Sequence, residues 1–88
     1  MSNVIAMTRI QRDGKFWDVS TINRQSSAAL APDHWYAETI VFELDAEFRR
    51  GKVVWQGEDC RGCIHTHMWA VRRLHATGSA EDGQGVEG

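Results

Sequence analysis

Apolar and polar positions divide the chain into four stretches with strand character and one with helical character. Val4-Ile5-Ala6-Met7-Thr8-Arg9-Ile10 is rich in β-branched residues and has no helix cap before it, which predicts a first strand. Asp13-Gly14 follows, a pair that accepts the positive backbone angles of a tight hairpin turn. Phe16, Trp17, Val19, Thr21 and Ile22 populate the return strand, giving a β-hairpin over about residues 3–22. Residues 23–34 read as a loop, in which Ala28-Ala29-Leu30-Ala31 has the composition for one helical turn before Pro32 ends it. The clearest strand comes next. Tyr36, Ile40, Phe42 and Leu44 share one parity, interrupted by Glu38, while Trp35, Ala37, Thr39, Val41 and Glu43 share the other. Apolar residues on both parities predict a central strand. Arg50-Gly51-Lys52 reads as a turn, and Val53-Val54-Trp55 as a short fourth strand ending before Gln56-Gly57.

The period then changes. Cys60, Cys63, Ile64, His67, Val71 and Leu74 recur at helical spacing on one face, with Asp59 placed to cap the first turn and Gly78 to stop the last. Met68 and His75 border that face, and Arg61, Arg72 and Arg73 lie mainly away from it. The expected architecture is a small α+β domain: an antiparallel sheet of about four strands packed against one C-terminal helix, which lids the core.

A chain of 88 residues suits one domain, taken as residues 1–77. Residues 78–88 hold four glycines and the unopposed Glu81, Asp82 and Glu87, the composition of a flexible acidic tail. The hydrophobic share of 42% is that of a globular chain, and the net charge of -2 gives no global case for nucleic acid. Charge nonetheless alternates along the chain, basic as far as Arg24, acidic from 25 to 51, basic from 52 to 77 and acidic in the tail. No stretch approaches the roughly 20 apolar residues of a membrane span, and no secretory h-region opens the chain, so a cytoplasmic location without a membrane partner is expected.

Candidate chemistry centres on Cys60-x-x-Cys63 and the histidines around it. Three readings stay open: buried or half-buried thiols, a zinc-stabilised module, or a CxxC thiol redox protein. A zinc site would draw on Cys60, Cys63 and His67 along one helical face, with His34 or His75 completing it; no cofactor is otherwise expected. In the redox reading a helix N-terminus and Arg61 would favour the Cys60 thiolate. His67 fits a core histidine better than a catalytic base. There is no nucleophile elbow, phosphate loop or dinucleotide fingerprint, and an enzyme is not expected. Four tryptophans, Trp17, Trp35, Trp55 and Trp69, are many for this length. They serve either the core or, with Arg72 and Arg73, contact with another protein, and Trp69 suits either a core edge or an interface. A homodimer through an unpaired strand edge is also expected.

Trp35-Tyr36-Ala37-Glu38-Thr39-Ile40-Val41-Phe42, followed by His67-Met68-Trp69-Ala70-Val71, resembles small accessory proteins encoded by bacteriophages and prophages. The shared pattern covers residues 35–74: an aromatic, Glu-Thr and an aliphatic-Phe strand, then a helix with a small residue, a histidine four positions on and a following Val, filled here by Cys63, His67 and Val71. The resemblance implies no catalytic residue and makes His67 part of the fold. It further implies an accessory protein that binds a host or viral protein, including inhibition of a host factor such as a CRISPR defence complex.

Overall fold

The structure, a computed structural model, describes residues 3–25 and 34–80. It contains four antiparallel strands and one helix: β1 (Val4–Arg12), β2 (Lys15–Gln25), β3 (Trp35–Leu44), β4 (Arg50–Cys60) and α1 (His65–Thr77). The strands lie in chain order, a simple meander, and α1 packs across one face of the sheet. The expected α+β class is the observed one. The helical turn expected at Ala28–Ala31 and the tail from Glu81 onward lie outside the described residues.

Asp13 and Gly14 turn the first hairpin with φ of 54° and 79°, angles that Asp tolerates and Gly adopts freely. This two-residue turn sets the register, so Ile10 faces Trp17 and Arg9 faces Asp18. On the helix side, rungs of opposed residues run across the sheet: Thr8, Val19, Val41 and Trp55 on one, and Thr21, Thr39 and Gly57 on the next. The core consists of Ile10, Trp17, Val19, Val41, Ala70, Leu74 and Ala80, with Val54, Trp55, Trp69 and Val71 packed at its edge. Register slips by one residue on each side of Phe42, and the first slip leaves both Val54 and Trp55 packed against the core.

Four sequence expectations change. Arg50-Gly51-Lys52 is not a turn but the start of β4. The reversal falls earlier, where Asp45 Oδ1 accepts from the N–H groups of Glu47 and Arg49, each at 2.9 Å. β4 is not the short Val53–Trp55 segment: pairing with β3 carries it to Cys60 opposite Tyr36. The helix does not begin at Cys60. Gly62 sits at φ 75°, and Cys63 N–H bonds Cys60 C=O, so a turn separates β4 from α1 and the helix starts at His65. Asp59 still caps it, but from the end of β4, its Oδ2 accepting from Thr66 N–H at 3.1 Å. Finally, the packed chain runs past residue 77, because Ala80 is buried in the core.

Candidate functional site

Residues that carry chemistry fall into three places: the interior beneath α1, the uncovered face of the sheet, and the junction of β4 with α1. In the interior, His67 is 1% exposed. Its Nε2 lies 2.8 Å from the Thr8 hydroxyl, its Nδ1 lies 2.8 Å from the Thr21 hydroxyl, and Thr21 in turn meets Thr39 at 2.6 Å. The chain of hydroxyls exists because Thr21 and Thr39 are opposed in register and both point at the helix. Burial lowers the His67 pKa, favouring the neutral ring. With both ring nitrogens engaged, His67 is a core histidine holding α1 to β1 and β2, and through Thr21 to β3, and has no nitrogen left for a metal.

The face of the sheet opposite α1 carries no covering element among the described residues. Its rungs read Arg9, Asp18, Phe42 and Val53, then Met7, Ser20, Ile40 and Gln56, then Val4, Ile22, Glu38 and Glu58, then Arg24 and Tyr36 with Cys60. Asp18 is 3% exposed because two guanidinium groups close over it: Arg9 Nε at 2.9 Å and Arg50 Nε at 3.3 Å. The hydrogen bond from Arg9, joined by that from Arg50, holds the Asp18 carboxyl below the usual carboxylate range against the effect of burial. Arg50 lies over the Phe42 ring at 4.5 Å, and Arg9 over Phe48 at 5.1 Å. Phe48 adopts φ 63°, a strained backbone angle for a bulky residue, and packs edge-on against Phe16 at 4.9 Å. That strained turn folds an aromatic ring onto the open face. Met7, Phe48 and Val53 remain 45–55% exposed there. The Arg9–Asp18 pair was legible in principle, since a turn centred on Asp13-Gly14 places the two residues opposite each other. Nothing local to Arg50 signals that it joins them.

At the β4–α1 junction the sulfurs of Cys60 and Cys63 are joined as a disulfide. Ligand atoms of Asp59, Cys60, Cys63 and His65 all lie within 4.8 Å of one another. Burial pushes the Asp59 carboxyl up, but the N–H groups of Thr66 and Cys60 more than offset it, so the group lies below the ordinary range. His65, not His67, accompanies the cysteines. The expected set of Cys60, Cys63 and His67 with His34 or His75 is not brought together: His67 is sequestered, His34 stacks on Tyr36, and His75 is exposed near the end of α1.

The tryptophans also separate. Trp17 is a core residue at 4% exposure. Trp55 and Trp69 pack on each other at 5.2 Å at the core edge, with Arg73 over Trp69 at 5.8 Å. Trp35 is half-buried beneath the Arg61 guanidinium, and Arg72 is exposed on the outer side of α1. A cleft of about 270 Å³ opens between Lys15, Trp17, Glu43, Val54 and the Gly78-Ser79-Ala80 segment. Among the described residues no helix is long and apolar enough to cross a membrane. Comparison with family models, with curated proteins and with solved structures finds no match in any of the three.

Proposed function

We propose that this protein is a non-enzymatic protein-interaction module whose uncovered sheet face receives the partner. The observation that carries this reading is the face itself. Exposed Met7, Val53 and Phe48 surround an arginine pair anchored on a buried Asp18. Met, aromatic residues and Arg are the side chains enriched in the desolvated centres of protein interfaces. The arginines are already positioned by Asp18 and by the Phe42 and Phe48 rings, so less side-chain freedom is lost on binding. Two guanidinium groups share one carboxylate, which leaves the centre of the face positive. The partner that fits is a protein surface with an acidic side chain set among apolar ones. The resemblance to phage accessory proteins supports a cytoplasmic host factor, such as a CRISPR defence complex, as that partner.

The test is quantitative co-purification from the native host with three single variants. Met7→Glu and Val53→Glu place a charge on the open face, and Arg72→Glu changes the outer side of α1. Loss of a stoichiometric partner with the first two and its retention with the third is expected. Retention with both open-face variants, or loss with Arg72→Glu alone, moves the binding surface elsewhere.

A further inference from the structure

We propose that the reduced chain binds one zinc ion where β4 meets α1, through the sulfurs of Cys60 and Cys63, Nδ1 of His65 and a carboxylate oxygen of Asp59. The Cys60–Cys63 disulfide is then the oxidised, metal-free state of the same site. This site is separate from the sheet face proposed for the partner and stands or falls without it.

Two thiolates, an imidazole and a carboxylate form a donor set that zinc prefers over the harder divalent cations. The spacing fits as well. His65 Nδ1 and Asp59 Oδ2 are 3.4 Å apart. A tetrahedral ion with N and O arms of about 2.0–2.1 Å has an edge of about 3.3 Å. Once the S–S bond opens, the sulfurs need to part to about 3.8 Å, the edge set by zinc–sulfur arms of about 2.3 Å.

The backbone that presents the cysteines is held by hydrogen bonds as well as by the disulfide. Cys63 N–H bonds Cys60 C=O at 3.0 Å, and Gly62 N–H bonds Asn23 Oδ1 at 2.9 Å, so the turn is held on both sides. Asp59 is oriented by donors as well, from Cys60 N–H at 2.8 Å and Thr66 N–H at 3.1 Å. A disulfide alone needs neither a carboxylate nor an imidazole beside it. Nor is this one an effective staple: it spans residues three apart, and the stabilisation from closing a loop is least for the shortest loops.

The two states interconvert by a balanced step. A dithiol reductant delivers two electrons and two protons to the disulfide and becomes a disulfide itself, leaving Cys60 and Cys63 as thiols. Zinc then binds both sulfurs and displaces the two thiol protons.

The experiment uses the full chain reduced with a phosphine, with Co²⁺ as a spectroscopic stand-in for Zn²⁺. One equivalent of Co²⁺ is expected to produce thiolate-to-cobalt charge transfer and tetrahedral visible bands, which Zn²⁺ abolishes by displacement. The oxidised chain is expected to give neither. His65→Ala removes an exposed ring outside the core and is expected to weaken binding at least tenfold. Asp59→Asn keeps an oxygen for Thr66 N–H, so the helical circular dichroism signal is retained while affinity falls. His75→Ala is expected to change nothing. Absence of binding by the reduced chain overturns the proposal. So does an affinity indifferent to both His65→Ala and Asp59→Asn, the result for a dithiol chelating metal without a built site.

Discussion

A single buried imidazole ties α1 to the sheet, and its chemistry makes stability depend on pH. His67 donates from one ring nitrogen and accepts at the other, a pattern that the Thr8 and Thr21 hydroxyls satisfy by rotation. Its pKa is lowered in the fold, whereas in the unfolded chain it titrates near 6.5. Below that pH the unfolded chain takes up a proton that the folded chain resists, so stability is fully present above about pH 6.5 and falls as pH drops. Urea unfolding at a series of pH values measures this, and His67→Gln is expected to flatten the dependence. His67→Leu leaves the threonine hydroxyls without their ring partner and is expected to cost about 1–3 kcal/mol. Asp18 acts in a lower window. Its pKa lies below the usual value, so its contribution is present above about pH 4 and lost as pH falls through the folded-state pKa. Asp18→Asn is expected to lower stability at neutral pH and remove that acid-limb dependence, as the same titrations will show.

Among the elements, β4 and α1 depend on each other most closely. Gly57 faces the helix opposite Thr39, and a Cβ there would strike the Trp55 ring and approach Thr66 Cγ2 at 2.9 Å. The first turn of α1 therefore sits close to β4 only because position 57 has no side chain. Gly57→Ala is expected to cost about 1–3 kcal/mol through overpacking, read as a lower urea midpoint. Along the helix, Leu74 is 0% exposed, whereas Trp69 rests half-buried against Trp55. Leu74→Ala is expected to lose about 2–4 kcal/mol. Trp69→Ala is expected to lose less and to keep the fold, a ranking that paired unfolding curves will check. A collapse caused by Trp69→Ala alone would show that the Trp55–Trp69 pair, rather than Leu74, fastens the helix.

At the scale of the whole molecule, the asymmetry of the sheet dominates. Among the described residues one helix covers one face, the other face keeps Met7, Phe48 and Val53 exposed, and β1 and β4 form the edges of the sheet. We propose that this surface pairs with a second copy when no other partner is present. Sedimentation equilibrium across micromolar concentrations is expected to show a mass rising toward a dimer, and Val53→Glu is expected to suppress the rise. A monomeric mass throughout removes self-association and leaves the heterologous partner as the occupant. Phe48→Gly is a further check. It relieves the strained backbone angle and deletes the ring from the face, so folding is expected to persist while partner co-purification weakens.

Local sequence carried the strand–turn–strand opening, the parity of β3, the helical period after β4 and the stop at Gly78, because each rests on neighbouring residues and their backbone preferences. The hairpin register belongs with these: a two-residue turn at Asp13-Gly14 leaves one pairing, and with it Arg9 beside Asp18. The length of β4 was not legible, because Gln56, Gly57 and Glu58 are poor strand formers and extend the strand through pairing with β3. The start of α1 was hidden for a related reason. Cys60 and Cys63 fall on the helical period by spacing alone, yet Gly62 at positive φ turns the chain there. That displacement exchanges His67 for His65 at the cysteines and sends His67 into the threonine network. Arg50 over Asp18, Phe48 over Phe16 and the cluster of Asp59 and His65 at the disulfide join groups through packing and turn geometry. Side-chain direction at a turn depends on backbone angles that the hydrophobic pattern does not encode, so these sites emerge only when strands, turn and helix are assembled.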